Sequence, residues 1–474
     1  MTTTISKRLE QLISGGMLAV LVFTALAHGA VESWSLALFE LAITLFLLLW
    51  AAKSVLDRRL RLTIPAPVLP LAALLMVGVA QSVSVTGASG QRAALSLDVE
   101  ATRTTTLALL FLFAAALLAS NFLVKEGRLR TTTNVLVVFG LMMAVFALVQ
   151  HFSSEGRFYW FRPNTQSAKP FGPFANHNHF AGFMEMLALI PAGLVVNRGV
   201  RREARLLYGF AAVMMGIAIV TSLSRGGMVS LGLGLVFLAA ITIRARRTEW
   251  SERTDGFARS KRLLGSASQA MAATTIVAAI VVGVLWVGSG PLVVERAAQT
   301  IDSSAIDNSQ SGLAGREKVW TDTVAMIRSN PLLGVGLGAY KTAFPRYNSG
   351  NGDIVIGQAH NDFLQAISDG GIAGALIALS FVILIFRAVV RAASCGDRFL
   401  SGLAVGSGAG IFALLVHSLF DFNLQIPSNA LMFLVLAAVV SRVEAIAAER
   451  ISNTAVRRSR EPAPATLAVG ARYE

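Results

Sequence analysis

The sequence predicts an all-α polytopic membrane protein of about 12 transmembrane helices, with one large extracytoplasmic loop. Three observations predict it. Of the 474 residues, 54% are hydrophobic and only 14% charged, against about 25% charged in soluble domains, and the mean hydropathy of +0.62 agrees. Apolar runs of about 20 residues, enough for a helix to cross about 30 Å of hydrocarbon, recur along the chain. One long polar interval, from about Gly288 to Gly374, breaks the series.

The runs place spans at about 11–29, 34–52, 67–85, 104–122, 132–150, 178–197, 206–223, 227–243, 269–287, 371–390, 400–420 and 429–447. Gln81, Ser82 and Ser84 thin the end of the third. Leu206 to Ile243 is too long for one crossing, and Ser224-Arg225-Gly226-Gly227 divides it into a helical hairpin with Arg225 at the turn. The first span has a basic start (Lys7, Arg8) and an Ala25-Leu26-Ala27 that mimics a signal-peptidase site. With eleven spans behind it, it is read as an uncleaved helix.

Basic residues set the orientation. With the N-terminus inside, the inner segments hold 28 of the 41 lysines and arginines and the outer segments 12, with Arg442 inside the last span's inner end. Both termini are therefore expected in the cytoplasm. The net charge of +14 becomes a topology signal and a contact with anionic membrane lipids, not a nucleic-acid footprint. The expected organisation is helices 1–9 over residues 1–287, the outer loop over 288–370, helices 10–12 over 371–447 and a disordered tail over 448–474. The single Cys395 excludes an intramolecular disulfide and a cysteine zinc site. No H-E-x-x-H pair or carboxylate ligand set is evident, and no metal site is expected.

In this topology four polar segments share the outer face: Arg157 to His179, Ser224-Arg225, Arg316 to Asp369, and His417 to Asn423. Arg225 either snorkels to lipid phosphate or holds a phosphate ligand, with Gly226 and Gly227 permitting close approach. Arg316 opens a helix predicted over Glu317 to Arg328 that Asn330-Pro331 ends. A cation in a first turn opposes the helix dipole, which makes sense if an anion binds there; the bland alternative pairs it with Glu317 or Asp322. Gly334, Gly336 and Gly338 lack a preceding strand or a Walker lysine, so they are read as a tight turn. Tyr340 after them suits a sugar face or an interfacial anchor. His360 is the candidate base, because a neutral imidazole accepts a hydroxyl proton near pH 7. Asn176 is read chiefly as a helix cap, Asn178 as a cap or a sugar contact, and Asn361 as a candidate sugar contact. His417 and Asp421, four apart, are expected on one helix face as a hydrogen-bonded pair.

Together these residues resemble the O-antigen ligase and polymerase family of bacterial membrane glycosyltransferases. The family's signature of His, then Asn, Ser or Gln, nine residues, Gly, two residues and Gly, Thr or Val is met by His360, Asn361, Gly371 and Gly374. Its S-R-G is met by Ser224-Arg225-Gly226, and its G-R-x-x-x-W and P-x-x-G-x-G by Gly315, Arg316, Trp320, Pro331, Gly334 and Gly336. Its G-x-x-x-N-x-N-x-x-A is met by Gly172, Asn176, Asn178 and Ala181. The resemblance covers about Phe171 to Asn429. It implies a GT-C-type helical fold in the bacterial inner membrane with a periplasmic active-site loop. It also implies glycan transfer from undecaprenyl diphosphate to an acceptor hydroxyl, as on lipid A–core. Arg225 and Arg316 would hold the diphosphate and His360 would activate the acceptor, with no cofactor. The same residues would serve a polymerase extending the glycan, or an oligosaccharyltransferase acting on protein. A lipid-glycan flippase also fits twelve spans, but would place ionisable groups within the helices, whereas here the charges are read at the outer ends.

Overall fold

A computed structural model describes residues 2–86, 92–163, 169–251, 313–350 and 355–460. The chain is predominantly helical, with one short hairpin pairing β1 (Ser84–Thr86) with β2 (Arg92–Ala94). The helices are α1 (Thr2–Leu26), α2 (Ser33–Leu56), α3 (Leu69–Ser82), α4 (Val99–Leu118), α5 (Leu129–Ser153), α6 (His177–Val196), α7 (Arg202–Thr221) and α8 (Arg225–Ser251). They continue with α9 (Leu313–Ser329), α10 (Tyr340–Ala343), α11 (Asp362–Ala393), α12 (Arg398–His417) and α13 (Pro427–Arg460). Among the described residues ten helices are long and apolar enough to cross a membrane, so the all-α polytopic membrane class holds. The span expected at 67–85 is the shorter apolar helix Ala66–Ser82. The one expected at 269–287 lies outside the described residues, as do residues 288–312 of the outer loop. The expected tail boundary at 448 moves, because α13 continues to Arg460; residues 461–474 lie outside the description.

The core is the antiparallel pair α6 and α12, both almost wholly buried. Their contact is backbone on backbone. A Cβ added at Gly193 would lie 2.6 Å from the carbonyl oxygen of Gly402 and from Cα of Gly406, and one at Gly410 would lie 2.9 Å from the carbonyl oxygen of Met186. In lipid, where apolar burial between helices drives little, such small residues permit the close approach that earns dispersion contacts. The antiparallel arrangement sets the start of α6 and the end of α12 at one end of the bundle, with the start of α8 beside them.

Helix α11 is broken at Gly371, whose φ of 61° and ψ of −152° fall in a region open essentially to glycine alone. The loop after Pro331 holds the break. Ile372 N–H donates to the Pro331 carbonyl (2.8 Å), Val335 N–H to that of Ser368 (2.9 Å) and Gly336 N–H to that of Asp369 (3.1 Å). Gln81 completes this latch, donating to the carbonyls of Leu333 (2.6 Å) and Asp369 (2.9 Å) and accepting from Leu337 N–H (2.9 Å). The polar residue that thins the third span is therefore the one that locks α3 to the loop. The expected start of a span at 371 marks this break, and the helix itself starts at Asp362.

Candidate active site

Helix α12 ends at His417, so Asp421 stands in the turn beyond it. The expected His417–Asp421 pair on one helix face is thereby replaced by two separate partnerships. His417 Nδ1 lies 3.3 Å from Glu185 Oε1, both groups being buried. The other Glu185 oxygen accepts from the Ser230 hydroxyl of α8. Gly226 leaves room for the His417 ring, since a Cβ there would come within 2.6 Å of Cδ2. Asp421, 2% exposed, accepts from Asn178 Nδ2 at 2.7 Å and from its own neighbour Phe422 N–H at 2.8 Å. His179 Nε2 stands 3.7 Å from Oδ1, the oxygen that accepts from Phe422 N–H, an ion-pair distance rather than a hydrogen bond. Burial works to raise the Asp421 carboxyl, but the His179 imidazole, then His417 and Arg316, hold it well below the usual carboxylate range.

Asp362 ties the next corner to this turn. Its carboxylate accepts from the Ser418 hydroxyl (2.7 Å) and Leu424 N–H (3.0 Å), and its N–H donates to the Ser418 carbonyl (2.9 Å). Two residues earlier, His360 adopts a left-handed φ of 50°, rare for a non-glycine residue and costing of order 1–3 kcal/mol. Its ring meets Phe422 edge-on at 5.2 Å, and His179 meets the same ring at 4.8 Å. His360 Nδ1 is buried and has no hydrogen-bond partner among the described residues. Burial pushes the His360 pKa down; the Asp421 charge opposes this, and Arg316 and His179 reinforce it. The imidazole is thus neutral at pH 7, the form a general base requires.

Arg316 reaches this corner on α9. One turn along, Trp320 Nε1 donates to the Ala359 carbonyl at 3.0 Å and its ring lies 6.5 Å from Phe420. This docks α9 beside His360, and the Arg316 charge is felt at His360 and Asp421. Among the described residues Arg316 forms no ion pair; Asp322 instead accepts from the backbone N–H and the hydroxyl of Ser349, each at 3.1 Å. Arg225 is the first residue of α8, where Ser224 Oγ caps Gly227 N–H at 3.1 Å. His177 joins that turn to α6 through the Ser222 carbonyl at 2.7 Å. Helix N-termini favour anions, so a half-buried arginine at one is suited to phosphate.

Two of the remaining candidates are capping residues. Asn361 accepts from Phe363 N–H (2.9 Å) and Leu364 N–H (3.0 Å), and Asn176 from Asn178 N–H (2.9 Å). Asn178 spends its amide on Asp421. Tyr340 needs a correction. It is 1% exposed, stacks on Phe344 and shares a 2.8 Å hydrogen bond with Thr323, and burial pushes its hydroxyl pKa up. It is a core residue of the loop and offers no ring to a sugar. Glu185 needs another: it is an ionisable group inside a span, two turns in from His177, so ionisable groups are not confined to the outer ends. Sequence reasoning passed over Glu185, Ser230 and Asp362, and registered Gln81 only as a flaw in the third span. The available signal was a lone acid in the apolar run of α6, which by default marks function. Among the described residues no three His, Cys, Asp or Glu side chains form a group that could hold a metal ion.

Compared with models of known protein families, residues 210–379 match one described as O-antigen ligase. The match spans Arg225, Arg316 and His360. No curated protein matches the chain.

Proposed function

We propose that this chain, a member of the O-antigen ligase family through residues 210–379, moves a glycan from undecaprenyl diphosphate to a hydroxyl of a lipid A–core acceptor. The observation that carries the reading is the convergence of a half-buried His360, whose Nδ1 is buried without a hydrogen-bond partner among the described residues, with the Arg316 charge at one end of the bundle. His360 takes the proton of the acceptor hydroxyl. The oxygen bonds to the anomeric carbon, and the bond from that carbon to the diphosphate oxygen breaks, inverting the configuration. Arg225 and Arg316 neutralise the charge that develops on the departing diphosphate. The energy resides in the glycosyl–diphosphate bond that breaks, so the residues named need no cofactor. On this reading the end carrying His360 faces the periplasm, both termini lie in the cytoplasm, and the frame is GT-C-like.

Reconstitution in proteoliposomes tests the proposal, with lipid-diphosphate glycan as donor and lipid A–core as acceptor. His360→Ala should lower transfer by about 10²–10⁴-fold, the range a general base supplies, and leave donor binding intact. Arg225→Ala and Arg316→Ala should each weaken donor binding by about tenfold or more. Undiminished transfer in His360→Ala, or unchanged donor affinity in both arginine variants, refutes the assignment. Elongation of the carrier-bound glycan in place of transfer to lipid A–core would make the chain a polymerase. Donor movement across the bilayer without any acceptor would make it a flippase.

A further inference from the structure

We propose that the end of the bundle remote from His360 binds the phosphate headgroup of an anionic membrane lipid. The site is a cavity of about 680 Å³ lined by Glu10 of α1, the end of α2, the chain that follows it, the turn after α4 with Glu126, and Arg442 of α13. Three observations point to it.

The first is the path of the chain after α2. Arg58 takes a left-handed φ of 50°, ending the helix as a C-terminal cap does. The N–H groups of Asp57, Arg58 and Arg59 turn back to the carbonyls of Lys53, Val55 and Ser54. Asn121 then clamps the chain at Thr63, accepting from its N–H (2.8 Å) and donating to its carbonyl (2.9 Å). Between these points the side chains alternate, as they do in extended chain. Arg59, Arg61 and Thr63 line the cavity and Leu60, Leu62 and Ile64 do not; all six are exposed, the three aliphatic residues by 68%, 46% and 45%. Three exposed aliphatic residues at alternate positions are accounted for when acyl chains cover them. The arginines then face a pocket that opens beside those chains.

The second is charge. Lys53 and Lys125, also in the lining, are engaged by Glu10 at 3.7 and 2.7 Å, and Lys53 by Asp57 as well. Among the described residues Arg59 and Arg61 form no ion pair within 4 Å, although the Arg61 charge also acts on Asp57, so Arg59 and in part Arg61 are left for an anion. The third is backbone. Residues Ala119–Leu123 form a π-turn, a widening that recurs at functional sites, and it presents Ser120 and Asn121 to the same cavity.

A lipid headgroup and free phosphate share the chemistry, and the exposed leucines favour the lipid. Native mass spectrometry of the full chain in detergent, with added phosphatidylglycerol, separates them. Wild type should retain the lipid. Arg59→Ala/Arg61→Ala should lose about tenfold or more of the bound fraction, since each arginine contributes about 1 kcal/mol near an anionic surface. The control Arg201→Ala/Arg202→Ala, which removes the same charge at the start of α7 at the same end, should retain it. Equal retention by the two double variants, or equal loss from both, overturns the site. Displacement of the lipid by millimolar inorganic phosphate would assign the pocket to free phosphate and overturn the lipid. Glycan transfer at the wild-type rate in Arg59→Ala/Arg61→Ala shows that the variant is folded and that the two sites are separate.

Discussion

Gln81 and Asp369 stand 288 residues apart and are joined by a 2.9 Å hydrogen bond from the amide of one to the carbonyl of the other. With its bonds to Leu333 and Leu337, this one side chain fastens α3 to the loop that holds the α11 break. Gln81→Leu would leave the Leu337 N–H and the part-buried Leu333 carbonyl without this partner, while the Asp369 carbonyl keeps Gly336 N–H; an unsatisfied buried group costs about 1–3 kcal/mol. The variant should melt earlier in detergent and be nicked by protease within 331–338. Wild-type resistance there would show that the latch is dispensable.

On the proposed role of His360 as base, the pH dependence of transfer follows from its titration. The active form is neutral and burial depresses its pKa, so the rate should hold through pH 7 and fall only below about 6.5. Asp421 pulls that pKa up and Arg316 pushes it down. Asp421→Asn should therefore move the acid limb to lower pH, and Arg316→Ala should move its residual activity to higher pH. Rate profiles from pH 5 to 8 give the answer; an acid limb unmoved in both variants would separate His360 from the titration.

Glu185 and His417 form a buried pair within the helices. Removing one partner of such a pair costs about 3–5 kcal/mol. Glu185→Ala should lower the melting temperature and slow transfer, because His417 ends the helix that leads into the Asp421 turn. Glu185→Gln, which can still meet both Ser230 and the imidazole, should lose less. Equal melting of all three proteins would contradict this.

Gly371→Ala tests the break directly. An added Cβ would meet the Leu332 carbonyl in a backbone conformation that already costs an alanine about 1–3 kcal/mol. Expression should fall and transfer should be largely lost, while Gly370→Ala, where a Cβ meets nothing, should be tolerated. Assay of the two side by side distinguishes geometry from loss of glycine as such.

The membrane frame was legible because span length and hydropathy are local properties of the chain. His360, Arg316 and Arg225 stood out because polar groups at the ends of apolar runs are conspicuous. The pairings were not legible. Asn178 and Asp421 are 243 residues apart, and periodicity does not say which helix ends meet. The Asp421 partnership was misassigned to His417 because nothing local showed that α12 stops at 417. Tyr340 was misread because a tyrosine beside glycines has the same sequence appearance whether its ring faces a sugar or a small core. Gln81 registered only as a flaw in a span, since its partners come from the far side of the chain.

The break at Gly371 has a mechanical consequence. The two helical turns that follow His360 are fastened to the Ser418 turn and to the loop after Pro331, while the remainder of α11 runs on into the membrane. A bilayer that is thicker or thinner can tilt that longer segment, and the joint at Gly371 absorbs the tilt. Such a joint would insulate His360 from lipid thickness. Its transfer rate should stay level across bilayers of different acyl length, and Gly371 is the residue on which that indifference rests.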